Sequence, residues 1–134
     1  MKPATRTAVR KRAAWPCEYC RLHEDDDVFT FHVEHIVSIK HGGGDDLENL
    51  ALACQHCNLH KGANLTGIDP ESGEITRLFH PRQQHWTDHF DQQDCRLMGT
   101  ANVGRTTVQV LKMNDPDRLR LRTLASQPAP PNRR

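Results

Sequence analysis

Four cysteines stand in two pairs, Cys17-Glu18-Tyr19-Cys20 and Cys54-Gln55-His56-Cys57. At this spacing two thiolates can close on one tetrahedral ion, so the two pairs together offer a four-sulfur site of the kind that binds Zn²⁺. Four thiolates leave no open position for water or substrate, and such a zinc would hold the fold without doing chemistry. Disulfides or a redox Cys-x-x-Cys are the competing readings, and a reducing compartment favours the metal. The 33 residues between the pairs exceed an ordinary zinc-ribbon loop, which implies that something folded is threaded between the knuckles. Cys95 is the odd thiol, expected to be a small buried hydrophobe and not a ligand or nucleophile.

Within the threaded stretch lie His32-Val33-Glu34-His35-Ile36-Val37, a glycine loop, Asp46-Leu47-Glu48-Asn49-Leu50, and then Cys57-Asn58-Leu59-His60-Lys61-Gly62. An acid and a histidine are adjacent, Asn49 follows His35 by fourteen residues, and Asn58 follows Asn49 by nine, directly after a zinc cysteine. From Cys17 to Gly62 this pattern resembles the HNH endonuclease family in its His-Asn-Asn variant. The resemblance extends loosely over the segment through Phe79, Trp86 and Phe90, which is similar to the extension of compact bacterial members. It implies an α+β fold, a small ββα-metal nuclease domain stapled by the four-cysteine zinc, with a C-terminal extension.

Phosphodiester hydrolysis needs a base to take a proton from water and a cation to neutralise charge on the phosphorane and the leaving oxygen. An imidazole, titrating near neutrality, suits the first task, and hard oxygen donors suit the second. The resemblance assigns His35 as base and Glu34 and Asn58 as ligands of a catalytic Mg²⁺ or Mn²⁺, with Asn49 fixing the loop and orienting the base. Lys61, three residues after Asn58, would lie near the same helix face and within reach of phosphate. Neighbours in a regular strand point to opposite faces, so Glu34 and His35 can share a phosphate only if the strand ends or distorts there. Singly, each of these residues has a plain structural reading as a surface carboxylate, a bonded histidine, or a cap. Their joint spacing between the knuckles is what favours the nuclease site. His60 would face elsewhere on the helix, His32, His41 and His56 take no assignment, and His80, His85 and His89 are expected at the surface or in packing.

The elements that must position these groups follow from local pattern. Val28 to Ile39, rich in β-branched and aromatic residues, predicts a strand running into a second short one. Residues 41–46 are a loop, because three consecutive glycines make regular structure costly. Leu47 to Ala53 leads into a short helix over Gln55 to Lys61, capped by Gly62. Asp69-Pro70-Glu71-Ser72-Gly73 predicts a hairpin turn. Thr106 to Met113 suits a strand or a helix equally, while Asp115-Pro116 opens a helix to about Ala125. The chain divides into a basic arm (1–14, a flexible segment or loose helix), a nuclease core (15–66), an extension packed on it (67–126), and a proline-rich disordered tail (127–134).

Thirty-six per cent hydrophobic residues in 134, with a mean hydropathy of −0.75, give thin means for a core held by apolar burial alone, so a metal staple is expected. Neither a secretory leader nor an apolar run near the length of a membrane span occurs, and a soluble cytoplasmic protein without membrane contact is expected. The net charge of +1 predicts weak nonspecific affinity for nucleic acid and leaves room for a partner protein. Basic residues cluster at the ends, in Lys2, Arg6, Arg10, Lys11 and Arg12 and again in Arg118, Arg120 and Arg122, as solvated tails or phosphate contacts. The partner implied is nucleic acid, DNA before RNA. The alternatives are a non-catalytic zinc-stapled nucleic-acid-binding module and an RNA-directed nuclease with the same site.

Overall fold

A computed structural model of the chain describes residues 1–127, so the tail expected over 127–134 lies, but for Gln127, outside the described residues. Helix α1 spans Pro3–Ala13, opening on a proline whose fixed φ suits the first turn and ending on Ala14 in the left-handed region at φ 58. Of the two readings of this segment, a flexible arm or a loose helix, the structure has the helix, and it is docked on the core. Val9 is fully buried, and two arginines reach across to the carbonyls of the core: Arg10 Nη2 donates to Phe31 O at 2.6 Å, and Arg12 donates to Leu47 O at 2.8 Å and Leu50 O at 2.6 Å. Those guanidinium groups bond backbone oxygens of the core from outside its strands, Leu47 O accepting from Arg12 in addition to Leu50 N.

Strand β1 (His32–His35) pairs antiparallel with β2 (Leu50–Ala53), Glu34 opposite Ala51 and His35 opposite Leu50. The second strand expected within 28–39 is therefore supplied by β2 instead. Val28 and Phe29 remain exposed ahead of β1, and the chain after it enters a helical turn at Ile39–His41. All four residues of β2 are buried. Helix α2 (Gln55–Lys61) follows, with Cys54 as its cap and Gly62 closing it at φ 51, so the order between the knuckles is strand, loop, strand, helix as expected.

The extension begins with the hairpin β3 (Thr66–Ile68) and β4 (Ile75–Arg77), as the turn residues predict. A second hairpin, β5 (Phe90–Gln93) with β6 (Arg96–Gly99), has no sequence expectation behind it. Cys95 lies in its turn, half-buried, so the expectation of a buried hydrophobe does not hold. Helix α3 (Asn102–Val110) settles the ambiguous segment. Thr106 and Thr107 return their hydroxyls to the carbonyls of Asn102 and Val103, each at 2.7 Å, which lets β-branched residues sit buried inside a helix. Helix α4 is Pro116–Ala125.

The extension is bound to the knuckles by specific contacts. Trp86 Nε1 donates to Tyr19 O at 2.7 Å and its ring stacks on Phe90 at 5.0 Å, while Phe79 meets Tyr19 and Phe90 edge-on. Arg118 forms a buried ion pair with Asp27 at 2.9 Å, and Arg82 is paired with Glu18, a neighbour of Cys17. Among the described residues no helix is long and apolar enough to cross a membrane.

Candidate active site and metal centre

The sulfurs of Cys17, Cys20, Cys54 and Cys57 lie within 4.8 Å of one another and are fully shielded from solvent or nearly so. Local backbone prepares them: Cys20 N points at Cys17 Sγ at 3.5 Å and Cys57 N at Cys54 Sγ at 3.3 Å, the turn of a knuckle in each case. Burial, then hydrogen bonds with Cys20 and Cys54, pushes the Cys17 thiol well above its ordinary value. Four buried sulfurs cannot all ionise against each other, and a divalent cation among them removes that conflict. The residues fit a bound metal.

The site residues divide between the two faces of β1. His35 leaves the strand toward the glycine loop, where its Nε2 meets Asp45 Oδ1 at 2.7 Å. The imidazole is 21% exposed and the carboxylate 53%. That hydrogen bond is the largest cause holding Asp45 below the usual carboxylate range. Asp45 has no place in the expectations from sequence; the signal available was an acid directly after Gly42-Gly43-Gly44, which is weak alone.

Asn49 makes the loop a fixed object. Its Oδ1 accepts from Val37 N at 2.8 Å, and its Nδ2 donates to Val37 O and Gly44 O, each at 2.9 Å. One side chain thus ties the residue two beyond His35 to the residue just before Asp45. Gly43 is required by the same arrangement: a Cβ there would stand 1.7 Å from Val37 O and 2.8 Å from Asn49 Nδ2. Gly42 supplies a positive φ of 87 where the helical turn ends.

Glu34 faces the other way, only 6% exposed, and its Oε1 has no hydrogen-bond partner among the described residues. Burial raises its carboxyl to about 7, against the opposing pull of Lys61, Tyr19 and His35. The Tyr19 hydroxyl is likewise buried and unpartnered. An orphaned acid oxygen in such a place is costly unless a proton or cation meets it. Asn58 sits on α2, half-buried, and its side-chain amide makes no hydrogen bond among the described residues. A carboxylate oxygen and an amide oxygen, neither engaged, are donors that fit Mg²⁺ or Mn²⁺.

Lys61 departs from expectation. It is 2% exposed, and its Nζ donates to Ile36 O at 2.8 Å, so the ammonium is directed into the protein and not toward a phosphate at the surface. It fixes the residue immediately after His35 and lines a cavity of about 360 Å³ with Val37, Arg77 and His80. The structure therefore gathers His35, Asn49 and Asp45 around one loop. It puts Glu34 and Lys61 on the inner side, with Asn58 one helical turn before Lys61.

Residues 17–64 match the family model described as HNH endonuclease, and this stretch is an HNH domain. The Septu protein PtuB of Bacillus thuringiensis is 26% identical over 125 residues, an alignment that takes in 88% of this chain and 44% of that protein. The chain thus spans less than half the length of this relative. No solved structure matches the chain.

Proposed function

We propose that the HNH domain of residues 17–64 is a metal-dependent endonuclease that hydrolyses phosphodiester bonds in nucleic acid, DNA being the first expected substrate. The observation that carries this reading is the His35–Asp45 hydrogen bond of 2.7 Å at the mouth of a loop locked by Asn49. With Nε2–H donating to the carboxylate, Nδ1 is left with its lone pair and is the atom that accepts a proton from water. Asp45 holds the ring's tautomer and stabilises the imidazolium as it forms. Asn49 acts through the loop, keeping Asp45 in register with His35. A divalent cation held by Glu34 and Asn58 would supply charge neutralisation at the phosphoryl and leaving oxygens. Acting on the phosphate that His35 addresses requires the end of β1 to distort so that both side chains reach one place. Lys61 enters as a positioning residue that anchors the end of β1 through Ile36 O.

The four cysteines hold Zn²⁺ in this reading, because a buried tetrahedral sulfur set favours it over harder ions. The modest net charge leaves grip on the polyanion to local contacts and to a partner protein. A cytoplasmic setting, where free thiols persist, suits the sulfur site.

The test is incubation of the purified protein with plasmid DNA and with structured RNA, with and without added Mn²⁺ or Mg²⁺. Metal-dependent cleavage that His35→Ala lowers by about 10²- to 10⁴-fold is the expected result. The burial of Glu34 favours a second reading, a zinc-stapled module that binds nucleic acid without cutting it. Retarded migration of both nucleic acids with no cleavage under any divalent ion would establish that module instead.

A further inference from the structure

Helix α2 carries two histidines that neither the sulfur site nor the nuclease site uses. His56 and His60 are four residues apart and so share one face; their rings lie 4.4 Å apart, centroid to centroid. The N-cap residue of α4, Asp115, comes to the same place. One nitrogen of each imidazole and one carboxylate oxygen all fall within 4.8 Å of one another.

We propose that His56, His60 and Asp115 form a second transition-metal site, taking an ion of the zinc class and clamping the HNH helix to the C-terminal extension. Two imidazoles and a carboxylate are donors suited to Zn²⁺, Co²⁺ or Ni²⁺, and three protein ligands leave a coordination position to water. Bonds near 2.1 Å bring tetrahedral ligand atoms to about 3.4 Å from each other, a contraction within reach of half-exposed side chains. Asp115 is available for this: although it opens α4, its carboxylate caps no backbone N–H and makes no other hydrogen bond among the described residues. His56 is already oriented, its Nε2 bonded to Lys112 O at 2.8 Å, the kind of outer partner that metal-bound imidazoles keep on their second nitrogen. All three residues are half-buried, so an ion can enter from solvent. The ion would lie on the helix that bears Cys57, joining the knuckle directly to residues 112–115. This site stands apart from the catalytic roles given to His35 and Glu34.

The probe is Co²⁺, added to protein as purified, with the metal its four cysteines retain, after dialysis against a mild chelator. One Co²⁺ per chain should bind with visible ligand-field absorption and without thiolate-to-cobalt charge transfer, and Zn²⁺ should displace it. His60→Ala and Asp115→Ala should each weaken that binding by more than the roughly 10- to 100-fold typical of losing an outer partner alone. Glu34→Gln should leave it unchanged. Absence of binding overturns the proposal. So does binding that both variants leave intact, which would place the ion elsewhere, or a thiolate charge-transfer band, which would place it among the cysteines.

Discussion

The knuckle centre and the glycine loop lie at opposite ends of the same two-stranded sheet, Cys54 following Ala53 at one end and the loop joining His35 to Leu50 at the other, and they are built on opposite principles. Around Cys17, Cys20, Cys54 and Cys57 everything is buried, and nothing is placed to admit a substrate. Around His35 the groups are half-exposed and polar, held by one asparagine and by the close approach of Gly43 to Val37. With a metal bound, the first region would supply folding energy that a polar chain of this size lacks. The second is held by its own hydrogen bonds and leaves His35 Nδ1 without a partner among the described residues. If the division is real, changes on one side should move stability and changes on the other should move activity.

The largest effect belongs to the knuckle. Cys57→Ala removes a metal ligand and, with it, most of a binding energy that for structural zinc is about 10–16 kcal/mol. That exceeds the ~5–15 kcal/mol stability of ordinary domains. The variant should lose cooperative thermal unfolding and its protected amides, and a strong chelator should do the same to the wild type. A melting temperature unchanged by either treatment would remove the contrast at its root. Elemental analysis of the untreated protein should find one zinc retained through dialysis.

His35→Ala is the counterpart on the open side. It deletes the proposed base and leaves the sulfurs and the Asn49 staple in place. General-base catalysis contributes about 10²- to 10⁴-fold, so cleavage should fall by that order while the melting temperature stays near the wild type. A large loss of stability with little further consequence for cleavage would make His35 a structural residue and favour the binding module.

Between these lies Asn49→Ala, which should move both quantities. The Val37 N–H and C=O lose their side-chain partners, at a cost of about 1–3 kcal/mol if water cannot replace them. The loop bearing Asp45 is freed at the same time. Gly43→Ala should produce a similar phenotype by a different route, because its Cβ has to displace Val37 O. Circular-dichroism melts paired with cleavage rates would show whether the two variants agree. A variant stable as wild type but inactive would mean that Asn49 acts on the reaction directly.

What sequence disclosed follows the same divide. The knuckles, α2 with its Gly62 cap, the β3–β4 turn and the Asp115-Pro116 start of α4 are written in residues a few positions apart, where spacing and capping chemistry decide. Contacts between distant segments were not legible. Nothing near Arg12 announces that it would donate to Leu47 and Leu50 carbonyls, or that Val9 would be buried, so α1 reads as a flexible arm or a loose helix and not as a docked one. Lys61 looks like a surface cation because its acceptor, Ile36 O, is 25 residues away. Thr106 and Thr107 mimic a strand, since their backbonding appears only once a helix exists. Glu34 and His35 were expected to need a strand distortion to act together; instead they keep the alternation of a strand, one inward and one toward the loop.

The smallest and most discriminating change is Asp45→Asn. The amide can still occupy the position 2.7 Å from Nε2, so packing and loop geometry should survive, and with the carboxylate half-exposed the stability effect should be small. What disappears is the negative charge that selects the Nε2–H tautomer and stabilises the imidazolium. An asparagine can accept that proton through its oxygen, or present its NH₂ and enforce the other tautomer, which would take Nδ1 out of use as a base. Cleavage should therefore fall by more than about tenfold but less than in His35→Ala, with nucleic-acid affinity unchanged. In the double variant the second substitution should add almost nothing, because Asp45 acts only through His35. If Asp45→Asn lowered the rate in a His35→Ala background as much as in the wild type, the carboxylate would be serving substrate or metal by itself, and the pair would have to be redrawn.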